Sequence, residues 1–281
     1  MSRPLKVGAV MYDPKVSVIW EIIRDFFDAQ RAPIDVAFYN TYETQVDALL
    51  DGTIDIAWNS PLAWVDAQRR SRNTCRAIAM RDTDRDRVSY VVARKDGPVR
   101  ALKDLKDRTI ATGASDSPQA TLIPLSFLAD QGLRPYQDFA VKVFDVLVGK
   151  HGDHIGGERD AVRALTRGEA AAACILDANH LAFAREGTIP TGMVRVLAQT
   201  PPYDHCNFTV LDGAPAEAVG RFRELLLAMS YADANVRPLL DLEGLKQWVP
   251  GRVSGYAPLS AAIERFKTVE PFVNDLLARC E

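Results

Sequence analysis

Short apolar runs alternate along the chain with stretches whose apolar residues recur every third or fourth position, the mark of strands alternating with amphipathic helices. Leu5 to Met11 reads as a buried strand. Ser17 to Gln30, with Ile19, Ile22, Ile23, Phe26 and Phe27 at helical spacing, reads as the helix that follows. Ile34 to Tyr39 is the next strand, and Asn40-Thr41-Tyr42-Glu43 has the spacing of a capping box ahead of a helix through Val46, Leu49 and Leu50, which Gly52 stops. With Ile54 to Trp58 the pattern is βαβαβα, so a mostly parallel sheet is expected.

Arg76 to Met80 and Val88 to Arg94 are further strands, and Lys95-Asp96-Gly97-Pro98 is a clear break. The alternation then restarts with strand Thr109 to Thr112, helix Ala120 to Gln131, strand Val141 to Val148, helix Arg159 to Arg167, strand Ala171 to Leu176, helix Ala178 to Glu186 and strand Met193 to Ala198. Asn207 to Leu211 reads as a return strand. Helices at Ala216 to Met229 and Leu259 to Ala278 are expected to pack back on the first half. This predicts an α/β chain of two lobes, residues 1–90 with 208–281 and residues 91–207, joined by two crossings as a hinged clamshell.

Ligands of open α/β sheets sit beyond the carboxyl ends of the strands. Here those ends carry Tyr12, Asn40 to Tyr42, Asn59 with Ser60, Ser115 to Gln119, Val148 to Asp160, and Asp177, a polar, hydroxylic and aromatic set suited to a small polar ligand. Two of them are Ser-Pro steps that open helices, Asn59-Ser60-Pro61 and Ser115-Asp116-Ser117-Pro118. A serine N-cap with proline at the first helical position exposes N–H groups and a dipole that favour an anion, although many such caps bind only their own backbone.

Composition removes other classes. The 281 residues are 47% hydrophobic and 25% charged, with a net charge of −3, which leaves no electrostatic footprint for nucleic acid and no attraction to an anionic membrane. No run approaches the roughly 18 apolar residues of a membrane span. The N-terminal apolar stretch is a strand rather than a signal peptide, so the chain as written reads as cytoplasmic, or as periplasmic if a leader was removed. Cys75, Cys174, Cys206 and Cys280 are widely spaced, with no CxxC pair. No cofactor fingerprint is present, and neither cofactor nor metal is expected.

The order of Asn-Thr-Tyr-Glu-Thr-Gln-Val-Asp-Ala-Leu (40–49), Asp-Ile-Ala-Trp-Asn-Ser-Pro (55–61), Ser-Pro-Gln-Ala-Thr-Leu-Ile-Pro (117–124) and Gly-Gly-Glu-Arg-Asp-Ala-Val (156–162) resembles the phosphonate and phosphite substrate-binding proteins of ABC importers. Trp248-Val249-Pro250-Gly251-Arg252 followed by Gly255-Tyr256 is similar to that family too. The resemblance implies a type 2 periplasmic-binding-protein fold, a small anionic ligand (phosphonate, phosphate-like oxyanion or organic acid) and an ABC permease as partner. Residue by residue, it implies a ligand hydrogen bond from Tyr42. Ser117-Pro118-Gln119-Ala120 stands where the family has a Ser-Thr-Ser-Gly cradle; Ser117 is kept, while Pro118 and Gln119 depart from the pattern. Arg159 falls near a family histidine and Arg87 near a family aromatic, and each could hold an oxyanion by two parallel bonds. Cys206 falls near a family carboxylate that receives a ligand amine, which argues against an aminoalkylphosphonate.

A second class of function stays open at this level: an enzyme on the same fold, a decarboxylase- or dehydratase-like lyase using Cys206. Adjacent strand residues face opposite ways, so His205 is a poor partner for Cys206, and His151, His154 or His180 is the expected base. His151-Gly-Asp-His154 could also ligate a metal, but a glycine-rich surface loop is the expected reading.

Overall fold

A computed structural model describes residues 3–267, which form two compact units. Of the described residues, the first holds 3–86 and Asp204–Tyr256, and the second holds Arg87–Tyr203 and 257–267. The expected end of the last helix, past Lys267, lies outside the described residues.

In the first unit, β1 (Leu5–Val10), α1 (Lys15–Ala29), β2 (Ile34–Tyr39), α2 (Tyr42–Leu50), β3 (Ile56–Asn59), α3 (Pro61–Arg70) and β4 (Cys75–Arg81) follow the expected alternation. The second unit supplies β5 (Ser89–Arg94), β6 (Thr109–Thr112), α4 (Ile123–Asp130), β7 (Ala140–Val143), α5 (Gly156–Thr166), β8 (Ala172–Leu176), α6 (Asp177–Arg185) and β9 (Val194–Gln199). The chain then returns to the first unit with β10 (Asn207–Leu211), α7 (Ala216–Ala228), α8 (Arg237–Glu243) and β11 (Trp248–Pro250), before α9 (Ala257–Phe266) in the second.

The first unit's sheet has the order β11-β4-β10-β3-β1-β2 and the second unit's β7-β6-β8-β5-β9. Most strands of each run one way, and each also takes in antiparallel strands. In the first, β2, β1 and β3 run parallel while β10 pairs antiparallel to both β3 and β4. In the second, β7, β6 and β8 run parallel while β5 is antiparallel to β8 and β9. The antiparallel strands arrive from distant sequence, a pairing that the local βα alternation does not encode.

Each sheet buries both faces. On one side of the first, α1 and α7 pack an aromatic core in which Phe27 and Phe222 stack at 4.8 Å and Trp58 lies 4.6 Å from Phe208; on the other, α2 and α3 bring in Tyr42, Val46, Leu49 and Ala63. In the second, α5 and α6 bury Val162, Leu165 and Phe183. The last helix corrects its expected place: α9 packs on α4 of the second unit, burying Leu259, Ala262, Ile263 and Phe266.

Strand β5 lies wholly in the second unit's sheet and β10 wholly in the first's, so the two expected crossings fall at Asp86–Arg87 and Tyr203–Asp204, and a third, not expected, falls at Tyr256–Ala257 ahead of α9. On the second unit's side, Arg87 and Tyr203 form an antiparallel bridge with N–H to carbonyl distances of 2.7 and 2.8 Å. On the first unit's side, Arg252 binds Asp204 through Nε (2.7 Å) and Nη2 (2.5 Å), and Nη2 also reaches Asp86 at 2.7 Å. The Asp204 side chain is fully buried, and Gly255 leaves room for it, since a Cβ there would lie 2.1–2.5 Å from the carboxylate.

Removing Arg252 strands a buried carboxylate, a loss of about 2–4 kcal/mol. Arg252→Ala is therefore expected to lower the urea midpoint clearly, with Arg252→Lys, which keeps the charge but not the fork, recovering only part. An unchanged midpoint for Arg252→Ala contradicts this role.

Candidate functional site

In the second unit β6 ends at Thr112, and a short turn delivers Ser117 as the cap of the next helix. Its Oγ accepts from Ala120 N at 3.2 Å, with Pro118 at the first helical position. The carbonyl of Ser117 accepts from both Thr121 N (3.1 Å) and Leu122 N (3.0 Å), so Pro118–Leu122 is a π turn before α4 begins. The expected helix from Ala120 thus starts two residues earlier and wider than an α-helix. Ser115 N donates to Asp145 Oδ1 at 2.7 Å, which explains why the expected strand through Val148 stops at Val143: the chain turns to present Asp145.

The loop after β7 is tied onto this turn. Asp116 Oδ2 accepts from Gly149 N (2.6 Å) and His151 N (3.1 Å), and Gln119 Nε2 donates to Gly152 O at 2.9 Å. Gly152 has φ +75°, and a Cβ there would lie 2.2 Å from Ser117 Oγ. Gln119 is 2% exposed, and its Oε1 is a buried atom without a hydrogen bond among the described residues. The turn therefore gathers a serine hydroxyl, a buried amide and a helix N-terminus beside the buried Asp116 carboxylate, with neutral donors and acceptors that suit a small desolvated ligand.

The two arginines expected to hold an anion have partners of their own. Arg159 forms a forked pair with Glu186 at 2.8 and 3.1 Å and lies over the Phe183 ring; this pair holds Glu186 down at about 2, so an anion at Arg159 would compete with that carboxylate. Arg87 Nη2 lies 2.8 Å from Asp177 Oδ1 at the start of α6, which also accepts from Ala178 N. These two face each other at the carboxyl ends of β8 and the start of β5.

In the first unit, Tyr42 is 1% exposed in the core beneath α2, and the cap of that helix is Thr41, whose Oγ1 accepts from Thr44 N, one residue later than the expected box. Ser60 caps α3 through Ala63 N at 3.1 Å. Asn59 is fully buried in a polar chain: it accepts from Gln45 Nε2 (2.9 Å) and donates to Thr209 Oγ1 (3.0 Å), which donates to Asn207, whose Nδ2 donates to Tyr256. Tyr12, half-exposed beyond β1, has Lys15 Nζ 6.0 Å from its ring centroid.

The same sheet end holds a cluster that the sequence reading missed. Arg81, at the end of β4, binds Asp84 through Nε (2.6 Å) and Nη2 (2.9 Å) and Glu243 through Nη1 (2.7 Å). His205 Nδ1 lies 3.1 Å from Cys206 Sγ and 3.5 Å from Asp84 Oδ1. This corrects the expectation that His205 is a poor partner. Residues 205 and 206 precede β10 and are not in strand conformation, so the alternation of faces does not apply. His151, His154 and His180 belong to the other unit, where His154 Nδ1 accepts from Gly156 N and His180 meets Tyr90 edge-on. The charge run Arg81 to Arg87 was the available signal; its first ion pair is buried rather than a solvated face.

A family model for the periplasmic substrate-binding protein of phosphonate ABC transporters matches residues 17–256. No curated protein sequence matches the chain. Among solved structures, XAC2383 from Xanthomonas citri bound to ATP has a TM-score of 0.73 at 16% identity, covering 98% of this chain and 100% of that one. PhnD1 from Prochlorococcus marinus in complex with methylphosphonate has a TM-score of 0.70 at 16% identity over 94% of this chain and 98% of that one. The aliphatic sulphonate binding protein SsuA from Escherichia coli has 0.60 at 17% identity over 98% and 89%. The fold is that of the two-lobe periplasmic binding proteins.

Burial opposes ionisation of Asp84, but Arg81 and His205 outweigh it and hold the carboxyl at about 2, against 3.8 for a free group. Because the native pKa lies below the unfolded one, the stabilisation is present above pH 4 and is lost as pH falls toward 2, on the order of 2 kcal/mol. Chemical unfolding of wild type and Asp84→Asn between pH 5 and 2 is expected to show the steeper acid loss in wild type; parallel profiles rule this out.

Proposed function

The chain belongs to the periplasmic substrate-binding proteins of phosphonate ABC transporters, and on that premise we propose that it binds a small oxyanion on the Ser117-Pro118-Gln119 turn and delivers it to a permease. The observation that carries this is the turn itself, a hydroxyl-capped helix start with a buried, half-satisfied amide. Neutral donors suit an anion that arrives desolvated, because they bring no counter-charge that must itself be stripped of water. Relatives of the fold were solved with methylphosphonate and, in SsuA, carry an aliphatic sulphonate name, which supports the tetrahedral oxyanion class over planar carboxylates.

Arg87 with Asp177 is the second contact in this reading, since a guanidinium already paired at a strand end can exchange or share its acceptor with an incoming oxyanion. Asn59, Ser60 and Tyr42 act chiefly through the fold of the first unit, their polar atoms being bonded within it. The same reading assigns the chain a periplasmic compartment after leader removal and an ABC permease as recipient. Among the described residues no helix is long and apolar enough to cross a membrane. The lyase reading draws no support from the family.

Calorimetry and thermal melting with methylphosphonate, inorganic phosphate, ethanesulfonate and acetate test the proposal. One of the tetrahedral anions is expected to stabilise the protein and to be recovered unchanged, with Ser117→Ala and Gln119→Ala each weakening it roughly tenfold or more. Binding of acetate alone, turnover of the ligand, or unchanged affinity in both variants overturns it. Gly152→Ala, which forces the loop off Ser117, is expected to weaken the same ligand strongly, whereas Gly213→Ala, whose added Cβ meets nothing within 4 Å, leaves affinity intact.

A further inference from the structure

We propose that Asp84, His205 and Cys206 form a binding site for a thiophilic divalent cation of the zinc class. One ligand atom from each lies within 4.8 Å of the others, and all three residues are buried. Carboxylate, imidazole and thiolate together are the donor set of zinc, whose tetrahedral bonds of about 2.0–2.3 Å set ligand atoms roughly 3–4 Å apart, the spacing of His205 Nδ1 from Cys206 Sγ (3.1 Å) and from Asp84 Oδ1 (3.5 Å).

The backbone fixes the triangle before any ion arrives. His205 N donates to Asp84 O at 2.8 Å, Tyr256 OH donates to His205 O at 2.8 Å, and Asp84 is held in a tight turn by the fork of Arg81. Arg81 engages one lone pair on each Asp84 oxygen, and each carboxylate oxygen carries two, so Oδ1 keeps one beside His205. Nε2 of His205 is buried with no hydrogen bond among the described residues; with the proton on that nitrogen, Nδ1 presents its lone pair to the triangle.

The charges close on a dication. Asp84 and Glu243 against Arg81 leave one net negative charge, and ionising Cys206 leaves two, which a divalent ion cancels in a setting where uncompensated charge is costly. Binding forms the Sγ–metal bond and releases the thiol proton to solvent. Three protein ligands leave a fourth position open on the ion. The other described cysteines are poorer ligands, Cys174 being pushed up to about 12 by burial and the nearby Glu158, and Cys75 raised by burial. This inference stands independently of the oxyanion reading, because its residues lie in the first unit and the Ser117 turn in the second.

Titration of the full chain with Co²⁺, in a Cys75→Ser, Cys280→Ser background, is expected to give a thiolate-to-cobalt charge-transfer band at one equivalent, displaced by Zn²⁺. Cys206→Ala is expected to abolish the band and weaken Zn²⁺ binding by roughly 100-fold. No band, or a band that survives Cys206→Ala, overturns the site. Should that variant fail to fold, X-ray absorption at the zinc edge of the unsubstituted chain decides: a shell with one sulfur and nitrogen or oxygen neighbours supports the site, and a shell without sulfur overturns it.

Discussion

The first two chain crossings end on one guanidinium. Asp86 is the last residue before the first crossing and Asp204 the first after the second, and Arg252 binds both, with Asp86 N also donating to Asp204 Oδ1. A buried carboxylate needs a partner of fixed geometry, and a planar fork supplies it where a lysine would not. The segment that carries Arg252 has to stay close for this to hold: β11 pairs with β4, Gly251 lies against the Ala77 carbonyl where no Cβ fits, and Gly255 makes room for Asp204. The family-like stretch Trp248 to Tyr256 is therefore written for structure, tying strand pairing, close approach and charge into one device.

Four arginines are paired with carboxylates of their own unit: Arg81 with Asp84 and Glu243, Arg87 with Asp177, Arg159 with Glu186, and Arg252 with Asp86 and Asp204. Two of them, Arg87 and Arg159, are the arginines that the sequence offered to an anion, and an incoming oxyanion there would compete with an acceptor already in place.

What was legible in the sequence was what is local. The strands and helices of the first 130 residues follow from hydrophobic period and caps, and Ser60 and Ser117 act as the caps that Ser-Pro spelled out. Non-local choices were not legible. The antiparallel entry of β5 and β10 depends on partners roughly eighty to a hundred and fifty residues away, and α8 and β11 are too short to show a period. The helix cap after β2 slipped by one residue because Thr41 and Thr44 both carry hydroxyls that can serve. The Asp84, His205 and Cys206 group was hidden for a related reason: the strand rule was applied one step before the strand begins.

At Gly152 a positive φ and a serine oxygen 2.2 Å from the missing Cβ leave no room for any side chain. The loop's distance from the turn is therefore quantised rather than adjustable: with glycine it lies flat on Ser117, and with any other residue it stands off by at least the width of a methyl group. A single codon change at this position would therefore move the loop that Asp116 and Gln119 hold, with no change to either of those side chains.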